Sequence, residues 1–248
     1  MQKRIAHITD THIDDPTALD RGANPRRNLK LILEDIAARK IDEIVFTGDI
    51  GENGTYEWLF KKLEEYKPGF KLIPGNHDNV EEVINFYPST KTSGNGKLYY
   101  SLEDESLKYI FMDSSAGMID PDQMAWLAAE INTQKPIILF IHHPVLGFKT
   151  AMDRKYPLQD RDKVAELLQQ CKNDVTVFCG HYHMPDKRKE GRITQYITPS
   201  VAFQVKKYAK EIEIDTKSFG YRIISIDGNV IKTTLVQNRN DYFTPENR

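Results

Sequence analysis

The sequence is poor in cysteine. Cys171 and Cys179 are the only two among 248 residues, too few for a disulfide framework and too few for a zinc site closed by thiolates. No apolar run approaches the about 20 residues that a membrane-spanning helix needs. Met1 to Asp10 run into an alternating strand pattern without the apolar stretch of a signal peptide. A cytoplasmic protein with reduced thiols and no membrane partner is therefore expected. An excess of one charge is also missing: 34 Lys and Arg against 36 Asp and Glu leave −2, which gives no reason to expect a nucleic-acid partner. One basic cluster, Lys187, Arg188 and Lys189, is flanked by Asp186 and Glu190. It reads as a solvated hairpin tip in preference to an anion-binding patch. The phosphate loop G-x-x-x-x-G-K-[ST] and the dinucleotide fingerprint G-x-G-x-x-G are absent, as is the G-x-S-x-G nucleophile elbow. No repeat, low-complexity segment or Pro/Gly/Ser-rich linker divides the chain, so one domain over 1–248 is expected.

What is present is an alternation of short β-branched runs and amphipathic stretches. Strands are expected over Ile5 to Thr9, Ile44 to Thr47, Phe70 to Ile73, Ile137 to Ile141 and Val175 to Cys179. Between them, Arg26 to Ala38 carries Leu29, Ile32, Leu33 and Ile36 at helical spacing, and Thr55 to Tyr66 carries Trp58, Leu59, Leu63 and Tyr66. Lys97 to Leu102 and Leu107 to Asp113 read as an antiparallel hairpin. Asp120-Pro121-Asp122-Gln123 starts a helix with a capping Asp, Pro at the first helical position and Gln three residues after the cap. A further helix follows Asp160. From about residue 192 the chain reads as all-β, with Ile193 to Thr198, then Tyr221 to Ile226 and Val230 to Val236 around the turn Asp227-Gly228-Asn229. The expected class is α/β: two mixed sheets packed together with helices outside.

Five places then stand out: Asp10-Thr11-His12, Gly48-Asp49, Gly75-Asn76-His77-Asp78, His142-His143 and Gly180-His181-Tyr182-His183. Each directly follows an apolar strand, and the loops at the carboxyl ends of strands are where ligands bind in open α/β sheets. Singly, each has an ordinary explanation, since an Asp after a strand is commonly a turn former and a buried His a hydrogen-bonded core residue. The i, i+2 spacing of Asp10/His12 and of His181/His183 points each pair to one side. Together, five strand ends bringing Asp, Asn and His to one edge are not accounted for by packing. His7, on the strand before Asp10, is left as structural. Imidazole with carboxylate suits Zn, Fe and Mn. Asp10, His12, Asp49, Asn76, His142, His181 and His183 are too many ligands for one ion, but they fit two ions sharing a carboxylate. Two cations about 3.5–4 Å apart clamp an in-line displacement at phosphorus.

In this order, D-x-H, G-D, G-N-H-D, H-H and G-H-x-H, the chain resembles the calcineurin-like metallophosphoesterases over residues 5 to 183. Thr198-Pro199-Ser200 and Gly220-Tyr221-Arg222 look like the tail of the bacterial class III 3′,5′-cyclic-nucleotide phosphodiesterases, whose glycerophosphodiesterase relatives share the same ligand set. The resemblance implies a four-layer αββα sandwich. It places Asp10, His12, Asp49 and His183 on one metal and Asp49, Asn76, His142 and His181 on the other, with Asp49 bridging. It makes His77 the non-ligand histidine beside the substrate and Asp78 the carboxylate that orients it by accepting from its ring. His143 would support the ligands in a role the motif leaves open. Purple acid phosphatases carry a ligand Tyr three residues after the bridging Asp. That position is Glu52 here, so an Fe(III)–Tyr centre is not expected.

The implied activity is hydrolysis of a phosphodiester, 3′,5′-cyclic AMP or a related cyclic nucleotide first, by in-line attack of a metal-bound hydroxide. His77 would stabilise or protonate the leaving oxygen, worth about 10²–10⁴-fold. A broader phosphodiesterase or phosphatase, such as a glycerophosphodiesterase, is the second reading. A non-catalytic metal-binding scaffold is the third, and it predicts eroded ligands, none of which is missing. Two long loops leave ligand strands. Asp14 to Asn28 offers Arg21, Asn24 and Arg26 to a substrate or merely to solvent. Pro144 to Pro157 offers Phe148 and Tyr156 to a base or merely to packing. The C-terminal β segment could pair across a homodimer or close a sheet.

Overall fold

A computed structural model describes residues 3–41, 43–52, 54–87, 96–239 and 242–246. The first half alternates: β1 (Lys3–Ile8), α1 (Pro16–Asp20), α2 (Pro25–Ala38), β2 (Glu43–Thr47), α3 (Thr55–Tyr66), β3 (Gly69–Ile73) and α4 (Val80–Phe86). The middle holds β4 (Tyr100–Glu103), β5 (Lys108–Met112), α5 (Pro121–Glu130), β6 (Ile137–Ile141), α6 (Ala151–Lys155), α7 (Arg161–Gln169) and β7 (Val175–Cys179). Strands β8 (Asp186–Glu190), β9 (Ile193–Ile197), β10 (Gln204–Val205), β11 (Ile214–Asp215), β12 (Gly220–Asp227), β13 (Val230–Arg239) and β14 (Tyr242–Glu246) complete it.

Two six-stranded mixed sheets result, ordered β14-β13-β12-β1-β2-β3 and β4-β5-β6-β7-β9-β8, with β10 and β11 pairing separately. In the first, β1, β2 and β3 are parallel and β12 returns antiparallel against β1. In the second, β5, β6, β7 and β9 are parallel between antiparallel edges β4 and β8.

Period-two alternation decides which face meets what. Phe111, Ile138, Phe140 and Phe178 join the core shared with the first sheet and with α2 and α3. Their neighbours Ile110, Leu139, Ile141, Val177 and Cys179 join the core under α5 and α7. One register position carries an aromatic on five successive strands. Tyr100, Phe111, Phe140, Phe178 and Tyr196 stack at centroid separations of 4.5, 5.1, 5.6 and 5.5 Å. His7 from β1 meets this row edge-on, 5.7 Å from Phe140 and 5.8 Å from Phe178, so the two sheets are face to face. The layers are helix, sheet, sheet, helix.

Local chemistry sets the boundaries. Asn24 caps α2 by accepting from Arg27 N, with Pro25 opening the helix. Asp120 caps α5 by accepting from Gln123 N at 2.9 Å. The Gln123 amide does not return to the cap. It is buried, and bonds Asp113 N and Asp113 O instead. Lys187, Arg188 and Lys189 do not form a hairpin tip: they lie in β8, an edge strand, where lysines discourage further strand pairing. No helix among the described residues is long and apolar enough to cross a membrane.

Candidate metal centre

The five marked loops leave β1, β2, β3, β6 and β7 at one end of the sandwich. Those after β1, β2 and β7 do so by left-handed turns and not by strand alternation. Asp10, His12, Asp49, His181 and His183 all have positive φ, between 41° and 68°, a conformation that costs a non-glycine residue about 1–3 kcal/mol and clusters at functional sites. The i, i+2 pairs do share a side, but through these turns. Gly48 and Gly75 let the second and third loops touch. Gly48 has φ 86°, its Cβ would strike the Gly75 backbone, and a Cβ on Gly75 would strike the Asp49 carboxylate.

Asp10, His12, Asp49, His142, His181 and His183 are each buried. Ligand atoms of Asp10, His12, Asp49 and His183 lie within 4.8 Å of one another, as do those of Asp49, His142 and His181. Asp49 belongs to both groups. Its Oδ1 accepts from His77 N at 2.9 Å, and its Oδ2 faces His142 Nε2 at 3.2 Å and His12 Nε2 at 3.6 Å. The Nε2 atoms of His12 and His183 face each other at 3.1 Å, and His183 Nε2 is 3.3 Å from Asp10 Oδ1. Asn76 is exposed and lines the same cavity as His12, Asp49 and His77.

Ring orientations are fixed by what carbonyls accept. His142 Nδ1 donates to Thr47 O at 2.7 Å, which leaves Nε2 directed at Asp49 with no hydrogen bond, a buried orphan. His181 Nε2 donates to Tyr156 O at 2.9 Å, leaving Nδ1 as its lone-pair nitrogen. His12 Nδ1 lies 3.2 Å from Asp15 Oδ2, the carboxylate–histidine pairing that orients metal ligands. Asp15→Asn is therefore expected to weaken metal binding by about 10–100-fold. Equilibrium dialysis measures it, and an unchanged affinity would contradict this role.

Burial of two carboxylates and four imidazoles, with no lysine or arginine paired to them among the described residues, is costly unless cations complete the set. The donors are imidazole nitrogens and carboxylate oxygens, a set that fits two transition-metal ions. Electrostatics agree. Burial alone would raise Asp10, but His183 and His142 hold it down at about 2, and Asp49 is likewise held well below its ordinary range despite burial. His181 is pushed down to about 4 by burial and by His142, so its lone pair is free at neutral pH. Burial would lower His142, yet Asp49 and Asp10 carry it up to about 9.

That raised value makes a proton the stand-in for a cation. Its stabilising contribution to the metal-free fold is full below the ordinary His pKa of about 6.5 and is lost as pH rises through about 9. A metal ion has to displace it. Uptake at neutral pH is expected to release at least this proton, and affinity to fall as pH drops below about 9. Calorimetry in buffers of different ionisation heat counts that proton. Uptake without release would contradict His142 as a ligand.

Some expected residues stand elsewhere. Asp78 does not accept from the His77 ring. Its carboxylate takes Ile50 N and Gly75 N at 2.8 Å each and Tyr56 Oη–H at 3.0 Å, so it ties the second and third loops together. Burial and the nearby Asp49 charge raise it to about 6. His77 itself is exposed at the cavity lip, its ring 5.2 Å from that of His12. His143 lies behind the ligands, its Nδ1 2.9 Å from Ser114 Oγ and its ring 4.1 Å from His181. His7 is bonded between Thr198 and Thr47 and is structural. Glu52 is exposed.

In the first long loop, Asn24 is spent on its cap, and Arg26 pairs with Asp14 while lying 4.3 Å over Trp58. Asp15 and Thr17 line the cavity instead, and Arg21 does not. In the second, Tyr156 and Met152 line it, whereas Phe148 packs on the core under α7. Phe203, Ile212 and Ile214, which the β10–β11 segment lays across the cavity, carry no signal of this role in the sequence. Ser200 fastens that segment by donating to Asp10 O at 2.8 Å.

The profile described as calcineurin-like phosphoesterase matches residues 3–185. A probable cyclic nucleotide phosphodiesterase of Fibrobacter succinogenes is 28% identical over 94% of this chain and 93% of its own. A probable glycerophosphodiester phosphodiesterase of Arcobacter nitrofigilis is 31% identical over 72% of this chain and 69% of its own. A dimetal phosphatase from Danio rerio shares the fold, with TM-score 0.67 and 12% identity over 93% of this chain and 98% of that one. With its ligand cluster and its two-sheet architecture, the chain belongs to the calcineurin-like phosphoesterase family and is a metal-dependent phosphoester hydrolase.

Proposed function

We propose that the chain is a binuclear phosphodiesterase acting on a 3′,5′-cyclic nucleotide, cyclic AMP foremost. In this reading Asp10, His12, Asp49 and His183 hold one ion, and Asp49, Asn76, His142 and His181 the other. When bound, the pair supplies positive charge to the phosphate oxygens and acidifies a water. The chain's residues do the positioning. Asp49 Oδ2 spans the two groups, Asp15 and Thr47 O fix the rings of His12 and His142, and Asp78 locks the loop that carries Asn76 and His77. His77, at the lip, is placed to give a proton to the departing oxygen.

The observation that carries the substrate is the apolar wall beside the ligands, where Phe203 packs 4.4 Å from the ring of His183. The cavity, of about 460 Å³, is walled by Met152, Tyr156, Phe203, Val205, Ile212 and Ile214, and among the described residues neither Lys nor Arg lines it. A second phosphate would call for such a cation, and a glycerol group for hydrogen-bond donors. A flat base with apolar faces suits Phe203 and Tyr156. The name of the Fibrobacter relative supports this reading. The Arcobacter relative, at 31% identity, supports a glycerophosphodiester as the second reading.

The test is hydrolysis of cyclic AMP by Mn²⁺-reconstituted protein beside a glycerophosphodiester and a generic aryl diester. Saturable turnover of cyclic AMP with KM in the range of about 1 μM–1 mM supports the assignment. Turnover of the other diesters alone would overturn it and leave the metal chemistry standing. Phe203→Ala is expected to raise KM for cyclic AMP by about 5–100-fold, the loss of one base–aromatic stack, with metal content read on the same preparation because the ring also packs on His12 and His183. An unchanged KM would remove Phe203 from the base site.

A further inference from the structure

Arg222, on β12, is a buried cation without a carboxylate. It is 5% exposed, and no ion pair reaches it among the described residues. Its Nε and Nη1 donate to the hydroxyls of Thr198 and Thr233, and its Nη2 donates to Ile197 O at 2.9 Å. Three of five N–H groups are thereby spent. Burial lowers its pKa only to about 10, so it stays charged at neutral pH. A buried charge of this kind ordinarily has a counter-ion.

Arg222 lines a cavity of about 530 Å³ between the β8–β9 edge of one sheet and β12–β13 of the other. A second cation without an ion pair among the described residues, Lys187, stands on the same rim. Its Nζ lies 5.4 Å from the Tyr196 ring centroid, and the Arg222 guanidinium lies 5.0 Å from that same centroid. Lys207 and Lys206 also line the cavity, but Asp186 and Glu213 engage them at 2.8 and 3.0 Å. Asp215 lines it as well, its carboxylate taken by Lys217 N. Gln204 adds an unused acceptor: it is 6% exposed, its Nε2 donates to Ser200 O, and its Oε1 has no partner. Tyr208 stands 90% exposed at the mouth.

We propose that this cavity is a second binding site, separate from the metal centre, for a phosphomonoester dianion. The phosphate would take the unspent N–H groups of Arg222 and the Lys187 ammonium, donors that suit a doubly charged anion. A hydroxyl or amine of the organic part would donate to Gln204 Oε1. Strands β10 and β11 divide the two cavities: Val205 lines both, whereas Ile214 lines the metal cavity and Asp215 this one. The proposal is independent of which diester the metal centre cleaves.

Titration calorimetry of the metal-loaded protein with 5′-AMP, and separately with inorganic phosphate, counts the sites. Two equivalents of 5′-AMP per chain are expected, of which only one competes with substrate. Lys187→Ala, an exposed change remote from the ligands, should weaken the non-competing equivalent about tenfold or more with kcat/KM unchanged. Arg222→Gln should abolish that equivalent. Should that variant fail to fold, Lys187→Ala still decides. If inorganic phosphate also fills the second site, the proposal stands with free phosphate as a sufficient ligand. If only 5′-AMP fills it, the proposal stands with the ester as the ligand. A single, wholly competitive equivalent, or a second one indifferent to Lys187→Ala, would overturn the proposal and leave Arg222 as a tie between the sheets.

Discussion

Asp49→Asn is expected to cut diester turnover by roughly 10³-fold or more, the loss of several kcal/mol of charge stabilisation at phosphorus, and to lower metal occupancy. The fold should survive, because the asparagine oxygen can still accept from His77 N, the bond now made by Asp49 Oδ1 at 2.9 Å. What is lost is the anionic Oδ2 that faces His142 at 3.2 Å and His12 at 3.6 Å. One neutral amide cannot offset two cations. The effect should also exceed that of Asp15→Asn, since Asp15 touches a single ligand. Metal analysis, circular dichroism and turnover on one preparation separate these contributions. A folded variant with full metal content and turnover within tenfold of the parent would remove Asp49 from its bridging place.

His77→Ala is expected to lower turnover by about 10²–10⁴-fold with metal content unchanged. The hydrogen bond from His77 to a ligand is made by its backbone N–H, which alanine keeps, and its ring only meets that of His12 edge-on. The leaving group tells its role apart from a structural one. An alkoxide needs a proton as it departs, whereas a nitrophenolate does not. The loss should therefore be large on an alkyl diester and small on a nitrophenyl one. Equal losses on both would point to charge stabilisation, and loss of metal would point to an error in the ligand set.

Much of this was legible in the sequence because strand ends advertise themselves. The strand bounds at Ile137–Ile141 and Val175–Cys179 and the helix Thr55–Tyr66 coincide with expectation, since buried parallel strands are uninterrupted apolar runs and Gly, Pro or Asp stands at their ends. Asp10, His12, Asp49, His142, His181 and His183 come together because each directly follows such a strand. The backbone was less legible. Nothing in Asp10-Thr11-His12 announces positive φ, which tertiary packing imposes. Asp78 misled for a related reason: the resemblance carried by G-N-H-D implied a partner for the His77 ring, while the folded loop sends the carboxylate to Ile50 N and Gly75 N. The apolar wall was hidden because β10 and β11 have two residues each. Segments that short carry no periodicity, and Phe203 reaches the site only after Ser200 is fastened to Asp10. Arg26 and Asn24 illustrate the opposite bias, where polar residues near a site are spent on a cap and an ion pair.

The central claim, two metal ions sharing Asp49, is tested most directly by the number of Mn²⁺ ions per chain at which turnover of a diester saturates. Metal-free protein would be titrated while bound metal and activity are read together. Saturation is expected at two ions per chain for the parent protein, with both occupancy and activity reduced in Asp49→Asn. Full activity at one ion per chain, with the second adding nothing, would contradict it.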